Sequence, residues 1–249
     1  MVFISAADHH IPDREQFNCA VFDARSDAES GYLVAFGIEP KFASTEFGYI
    51  KSSTQIRPKG SNLIEKFVEK PDLERVERYI QEGYLWNSGS FMFRAKAFID
   101  ELLIHKPEVL SAVRDSLLQA ERDTDFIRLQ EASFARSPQI SVDYAVMEKT
   151  KLAAVFRVSY EWNDVGSFDA LLNILPKDEN GNAFVGRGVG LDSHNNLILS
   201  QHRLTTVVGL SDIIVITTED AVLVSSKLQS AKLKTLISLL ESNGYAEAN

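Results

Sequence analysis

The sequence predicts an α/β fold, a sheet with flanking helices, followed by a small all-β module that ends in a helix. Three observations carry this. Short apolar runs alternate with helical periodicities through most of the chain, β-branched runs separated by turn residues crowd its end, and a polar connector, Lys177 to Asn182, lies between the two. The division is therefore expected at 176/177, with residues 1–176 as the α/β part and 177–249 as the β-rich module.

The elements follow in order. Val2 to Ile4 reads as a strand; Phe17, Val21 and Ala24 recur at helical spacing after Pro12-Asp13, and Gly31 is the expected stop. Tyr32 to Phe36 is a second apolar run, so strand, helix, strand fits a right-handed βαβ unit of a parallel sheet covered on both faces. Leu63 to Val68 reads as a strand, Pro71-Asp72 opens a helix with Leu73, Val76 and Ile80 on one face, and Ser90 to Phe93 is strand-like. From Lys96 to Ala135 the pattern is helical, broken at Pro107. Val155 to Val158 reads as a strand that leads into the loop Asn163–Ser167. Beyond the connector, the runs at 197–199, 205–208, 213–216 and 221–224 suggest a coil of stacked short strands, although no exact repeat is legible, and Ala231 to Leu240 closes as a helix ahead of a polar tail.

Composition narrows the function. The 249 residues carry 26 Lys+Arg against 35 Asp+Glu, a net charge of −9, which argues against a broad basic face for nucleic acid and leaves a small phosphate site open. Cys19 is the single cysteine, so an intramolecular disulfide and a Cys-rich zinc site are excluded, and a reducing, cytoplasmic setting is expected. In its helical pattern Cys19 reads as a small buried apolar residue. No apolar run approaches the roughly 18 residues of a membrane span, and the start lacks the features of a signal peptide. Serine-hydrolase, zinc-protease and P-loop signatures are absent.

Candidate chemistry gathers at predicted strand ends. Lys70, in Glu69-Lys70-Pro71, lies between a strand and a helix and is placed to face a phosphate. Asp8 and Asp164 each follow a predicted strand, and two converging carboxylates suit magnesium, which takes one or two of them with phosphate and water. Trp86-Asn87-Ser88-Gly89 offers an aromatic face and an amide for sugar hydroxyls. Each has an ordinary reading beside it: a solvated Glu-Lys pair, aspartates in turns, and a plain hairpin or strand-entry turn. His9 and His10 are adjacent on an extended segment, so their side chains diverge and a shared metal is not expected.

Taken together, Ala7-Asp8-His9, Phe47-Gly48-Tyr49-Ile50, Phe67-Val68-Glu69-Lys70-Pro71, Trp86-Asn87-Ser88-Gly89, the run Ser141 to Lys149 and Trp162-Asn163-Asp164-Val165-Gly166-Ser167 resemble, in order, the mannose-1-phosphate guanylyltransferases of the sugar-nucleotide pyrophosphorylase family. The resemblance implies a partial Rossmann-like nucleotidyltransferase sheet with a β-helix-like module. It also implies transfer of GMP from GTP to mannose 1-phosphate, giving GDP-mannose and pyrophosphate for polysaccharide biosynthesis. On it, Asp8 and Asp164 are the Mg2+ ligands, Lys70 is the phosphate-neutralising lysine, Glu69, Asn87 and Asp143 are sugar-site residues, and Gly48 and Tyr49 line the pocket. No nucleic acid or membrane partner is implied, and a homo-oligomer stays open.

The same resemblance exposes departures. The family opens with a strand and a glycine-rich loop that wraps the GTP phosphates; nothing in these 249 residues corresponds to it, so negligible turnover by the isolated chain is expected. At roughly 30 residues per βαβ unit, the missing part amounts to about three strands with their helices. Ala6 stands where the family usually has Pro, and Ser44-Thr45-Glu46-Phe47 where it has Glu-Thr-Gly-Tyr. Nothing in these 249 residues resembles the phosphomannose isomerase half of bifunctional relatives. The alternatives are a non-catalytic remnant or interaction module, or a nucleotidyltransferase for another sugar 1-phosphate.

Overall fold

The computed structural model describes residues 1–56 and 60–246. The chain divides into two compact units, one of Met1–Ala7 with Ile11–Trp162 and one of Asp8–His10 with Asn163–Asn249.

The first unit is built on strands β1 (Val2–Ile4), β2 (Leu33–Ile38), β3 (Gly48–Gln55), β4 (Asn62–Glu69), β5 (Leu85–Phe93) and β8 (Ala153–Arg157). They form a six-stranded sheet in the order β1-β5-β2-β8-β4-β3, with β3 also pairing β5. β2 is buried along its whole length. Its alternate residues feed two cores: Val34, Phe36 and Ile38 meet Ala20, Ala24 and Ala28 of helix α1 (Arg14–Glu29), while Leu33 and Ala35 share a cluster with Leu102 and Leu110 on the other face. Those two leucines come from helices α3 (Ala95–His105) and α4 (Pro107–Leu118).

The sheet is mixed rather than parallel: β1 and β2 run the same way, as the strand-helix-strand reading expects, but as a split unit. β5 lies between β1 and β2 and runs antiparallel to both, with Phe93 opposite Val2 and Met92 opposite Val34; β2 pairs in parallel with β8. A continuous apolar run reports burial on both faces and carries no information on strand direction. Trp86 to Gly89 likewise forms no turn: it lies inside β5, where Gly89 takes φ 71° beside a register shift against β2.

Helix α2 (Leu73–Gln81) opens as expected on Asp72, whose side chain accepts from the Arg75 N–H at 2.9 Å, and Gly83 follows it at φ 76°. The long helical pattern from Lys96 ends earlier than expected. Past α4 the chain forms a hairpin of β6 (Glu121–Asp123) and β7 (Phe126–Arg128), then a short helix α5 (Glu131–Phe134). Thr124, at φ 50°, makes the tight turn that the helical periodicity masks. Cys19 is exposed rather than buried, because the packed face of α1 runs through Ala20, Ala24 and Ala28.

In the second unit, β9 (Ala183–Leu191), β10 (Leu197–Val208) and β11 (Ile213–Thr217) stack in parallel, and β12 (Val222–Ser226) pairs antiparallel with β11. Ala183, Leu197 and Ile214 are in register and share a core with Leu172 of helix α6 (Phe168–Ile174). This is the β-helix-like coil expected from the short β-branched runs, with two of them joined in one bent strand. Its corners repeat: Gly181, Asn195 and Asp212 all have positive φ. After two of them a buried asparagine bridges coils, Asn182 accepting from the Asn196 N–H at 3.0 Å and Asn196 from the Ile213 N–H at 3.0 Å. The coils differ in length, which is why no repeat is legible. A 3-10 turn (Lys227–Lys232) leads into helix α7 (Leu233–Ser242); of the predicted polar tail, 247–249 lie outside the described residues. No helix among the described residues is long and apolar enough to cross a membrane.

Candidate functional site

The first unit gathers Glu69, Asn87 and Asp143. Glu69 ends β4, and Asn87 sits in β5 opposite Gly37 of β2. Asp143 opens a π-helical turn, Asp143–Met147, anchored in the core by Ala145, Val146 and Met147. The Asn87 Nδ2 donates to Asp143 Oδ1 at 3.0 Å. Both carboxyls sit in a poorly hydrated place. Burial, with the nearby Asp143 and Glu148 charges outweighing the opposing Lys70, pushes Glu69 up to about 7. Burial raises Asp143 as well, against hydrogen bonds from its own backbone, Ser141 and Asn87. A carboxyl near 7 can accept or donate a hydrogen bond at neutral pH, as sugar hydroxyls require.

Gly48 faces Glu69 across the β3–β4 ladder. A Cβ on Gly48 would collide with the Glu69 carboxylate and lie 3.2 Å from the Asn87 Cβ, so glycine keeps this surface open. Tyr49 alternates to the opposite side of the strand. Its side chain is fully buried, its hydroxyl accepting from Trp86 Nε1 at 2.9 Å and donating to the Ser44 carbonyl at 2.9 Å. Tyr49 thus anchors the 42–47 segment, and its ring is part of the core. The departure at Glu46 is exposed, its N–H bonded to Ser44 Oγ at 3.2 Å.

Lys70 follows β4 with φ 47°, and its N–H bonds the Phe47 carbonyl at 3.2 Å. A left-handed lysine is unusual, and the side chain of Lys70 is exposed.

In the second unit, His10 and Asn163 exchange backbone hydrogen bonds of 2.8 and 3.0 Å as an isolated antiparallel bridge. That bridge joins the two segments that carry Asp8 and Asp164. Asn163 Oδ1 accepts from the Val165 N–H at 2.7 Å, and Val165, a β-branched residue, is held at φ 53°. The Asp164 Oδ2 lies 2.6 Å from where a Gly166 Cβ would stand. The donor chemistry of two carboxylates fits Mg2+, which fills the rest of its octahedron with phosphate and water. Among the described residues, no group of three or more His, Cys, Asp or Glu side chains is arranged to hold a metal.

Two features escape sequence reasoning: Glu148, whose carboxylate reaches the Glu69 backbone, and the strained Val165 turn. Spacing alone does not reveal a π turn or a positive φ at valine.

Comparison with known proteins agrees with the fold. Residues 1–181 match the nucleotidyl transferase family, and residues 186–240 the MannoseP isomerase/GMP-like beta-helix domain. The xanthan biosynthesis protein XanB of Xanthomonas campestris pv. campestris is 41% identical over 249 residues, covering 100% of this chain and 52% of that protein. A mannose-1-phosphate guanylyltransferase of Klebsiella pneumoniae is 38% identical, covering 99% of this chain and 53% of that protein. The chain thus spans about half the length of these relatives. The crystal structure described as mannose-1-phosphate geranyltransferase from Thermus thermophilus superposes with a TM-score of 0.84 at 31% identity, covering 96% of this chain and 69% of that one. On its sheet, its β-helix-like coil and these matches, the chain belongs to the nucleotidyl transferase family of enzymes.

Proposed function

We propose that the chain carries the sugar-phosphate part of a mannose-1-phosphate guanylyltransferase. A phosphate oxygen of mannose 1-phosphate attacks the α-phosphorus of GTP, the α–β bridging P–O bond breaks, and GDP-mannose and pyrophosphate result. The observation that carries this reading is the Glu69–Asn87–Asp143 cluster, in which Asn87 hydrogen-bonds Asp143 and burial raises both carboxyls, at the strand end that Lys70 follows.

In this reading Glu69, Asn87 and Asp143 hold the hydroxyls of the mannose ring, and Gly48 leaves room for it. Lys70 neutralises phosphate charge, the requirement that dominates nucleotidyl transfer. Asp8 and Asp164 would hold Mg2+, which when bound neutralises phosphate charge and orients the leaving group. The lone cysteine supports a cytoplasmic setting for the reaction.

Calorimetry tests the sugar reading. Mannose 1-phosphate and GDP-mannose are expected to give saturable heat and glucose 1-phosphate a weaker response; no sugar-phosphate heat would favour an interaction module instead. Pyrophosphate release from GTP, mannose 1-phosphate and magnesium is expected to be negligible for these 249 residues alone, which include no glycine-rich phosphate loop. Robust turnover would overturn that expectation, and Asp164→Asn is then expected to abolish it.

A further inference from the structure

Asp143 and Glu148 are five positions apart. In an α-helix, five residues leave two side chains about 140° apart around the axis. Here the Glu148 N–H bonds the Asp143 carbonyl at 3.0 Å, an i→i+5 closure that returns the second residue to the side of the first. The turn is fixed from behind: Ala145, Val146 and Met147 are buried in the core. Both acids therefore act on the end of β4. Asp143 influences Glu69 through its charge, while Glu148 Oε1 accepts from the Glu69 backbone N–H at 3.3 Å. The next residue is Lys70, held at φ 47° with its own N–H on the Phe47 carbonyl. The strand end that would present both the sugar carboxylate and the phosphate lysine is thus gripped from two sides.

We propose that Glu148 is a positioning residue: through the π turn it clamps the Glu69–Lys70 backbone so that the carboxylate and the ammonium group keep a fixed relation for a sugar phosphate. The inference rests on the sugar-phosphate reading of this cluster. It makes the π turn functional, because relaxing it to an α-turn would carry Glu148 away from β4. The groups facing Glu69 are Asp143, Glu148, Lys70 and Asn87, so removing the Glu148 charge alters its surroundings without touching the ligand-facing amide.

The test compares Glu148→Gln with Glu148→Ala in the full chain, reading the Glu69 amide exchange rate, the Glu69 carboxyl titration by NMR, and affinity for mannose 1-phosphate. Glutamine keeps an acceptor oxygen and loses the charge. It is expected to preserve amide protection and affinity while moving the Glu69 titration downward. Alanine is expected to speed Glu69 amide exchange and weaken mannose 1-phosphate binding, each by about tenfold. Unchanged exchange in Glu148→Ala overturns the proposal; if alanine prevents folding, Glu148→Met, of similar length and without an acceptor oxygen, decides in the same exchange measurement. If the unsubstituted chain binds no mannose 1-phosphate, the functional reading fails, while the exchange measurement still decides the clamp.

Discussion

Glu69 is an acid kept where its charge is poorly tolerated. Its folded-state value, about 7, lies above the ordinary 4.5. A carboxyl raised in this way favours the folded state fully below about 4.5, and that contribution is lost as pH rises through about 7. Glu69→Gln removes the titration. Its melting temperature relative to the parent is expected to be higher at pH 8 than at pH 5, as read from thermal melts at both; a pH-independent difference would place the carboxyl in water. Gly48→Ala is the steric counterpart. The added methyl must displace the Glu69 carboxylate, and mannose 1-phosphate binding is expected to fall by about tenfold or more, measured by calorimetry.

The elements show which physical signals sequence carries. Asp72 capping α2 and the apolar run of β2 were both legible, because a cap and a buried strand are local statements. The insertion of β5 between β1 and β2 was not, since pairing partners are chosen by long-range packing. Of the candidate site, the residue types of Glu69, Lys70, Asn87 and Asp143 were legible through their motifs. The π turn and the positive φ of Lys70 and Val165 were not, since each is imposed against local preference by surrounding structure. Two elements yield stability tests. Tyr49→Phe leaves the Trp86 indole N–H without its acceptor in the core and is expected to cost about 1–3 kcal/mol in urea denaturation. Asn196→Ala removes the side-chain acceptor of the Ile213 N–H and leaves the Leu210 carbonyl with the His194 N–H, at about 1–2 kcal/mol in the same measurement.

At the scale of the molecule, the candidate site residues fall into both units. Met1–Ala7 with Ile11–Trp162 hold Glu69, Asn87, Asp143 and Lys70; Asp8–His10 with Asn163–Asn249 hold both aspartates and the β-helix-like coil. Placing Asp8 with Asp164 follows from a single backbone bridge between segments distant in sequence, a pairing that neither segment announces. The division expected at 176/177 follows the compositional shift, whereas the grouping by contact begins at Asn163 and the β-helix match at residue 186. The central claim is that this chain recognises a mannose phosphate through Glu69, Asn87 and Lys70. Phosphorus NMR of mannose 1-phosphate titrated with the chain tests it most directly, because the nucleus observed is the group Lys70 would face. A saturable shift that is much reduced in Lys70→Ala and in Asn87→Ala is the predicted result; a resonance unmoved by the chain, or moved equally by all three proteins, would contradict it.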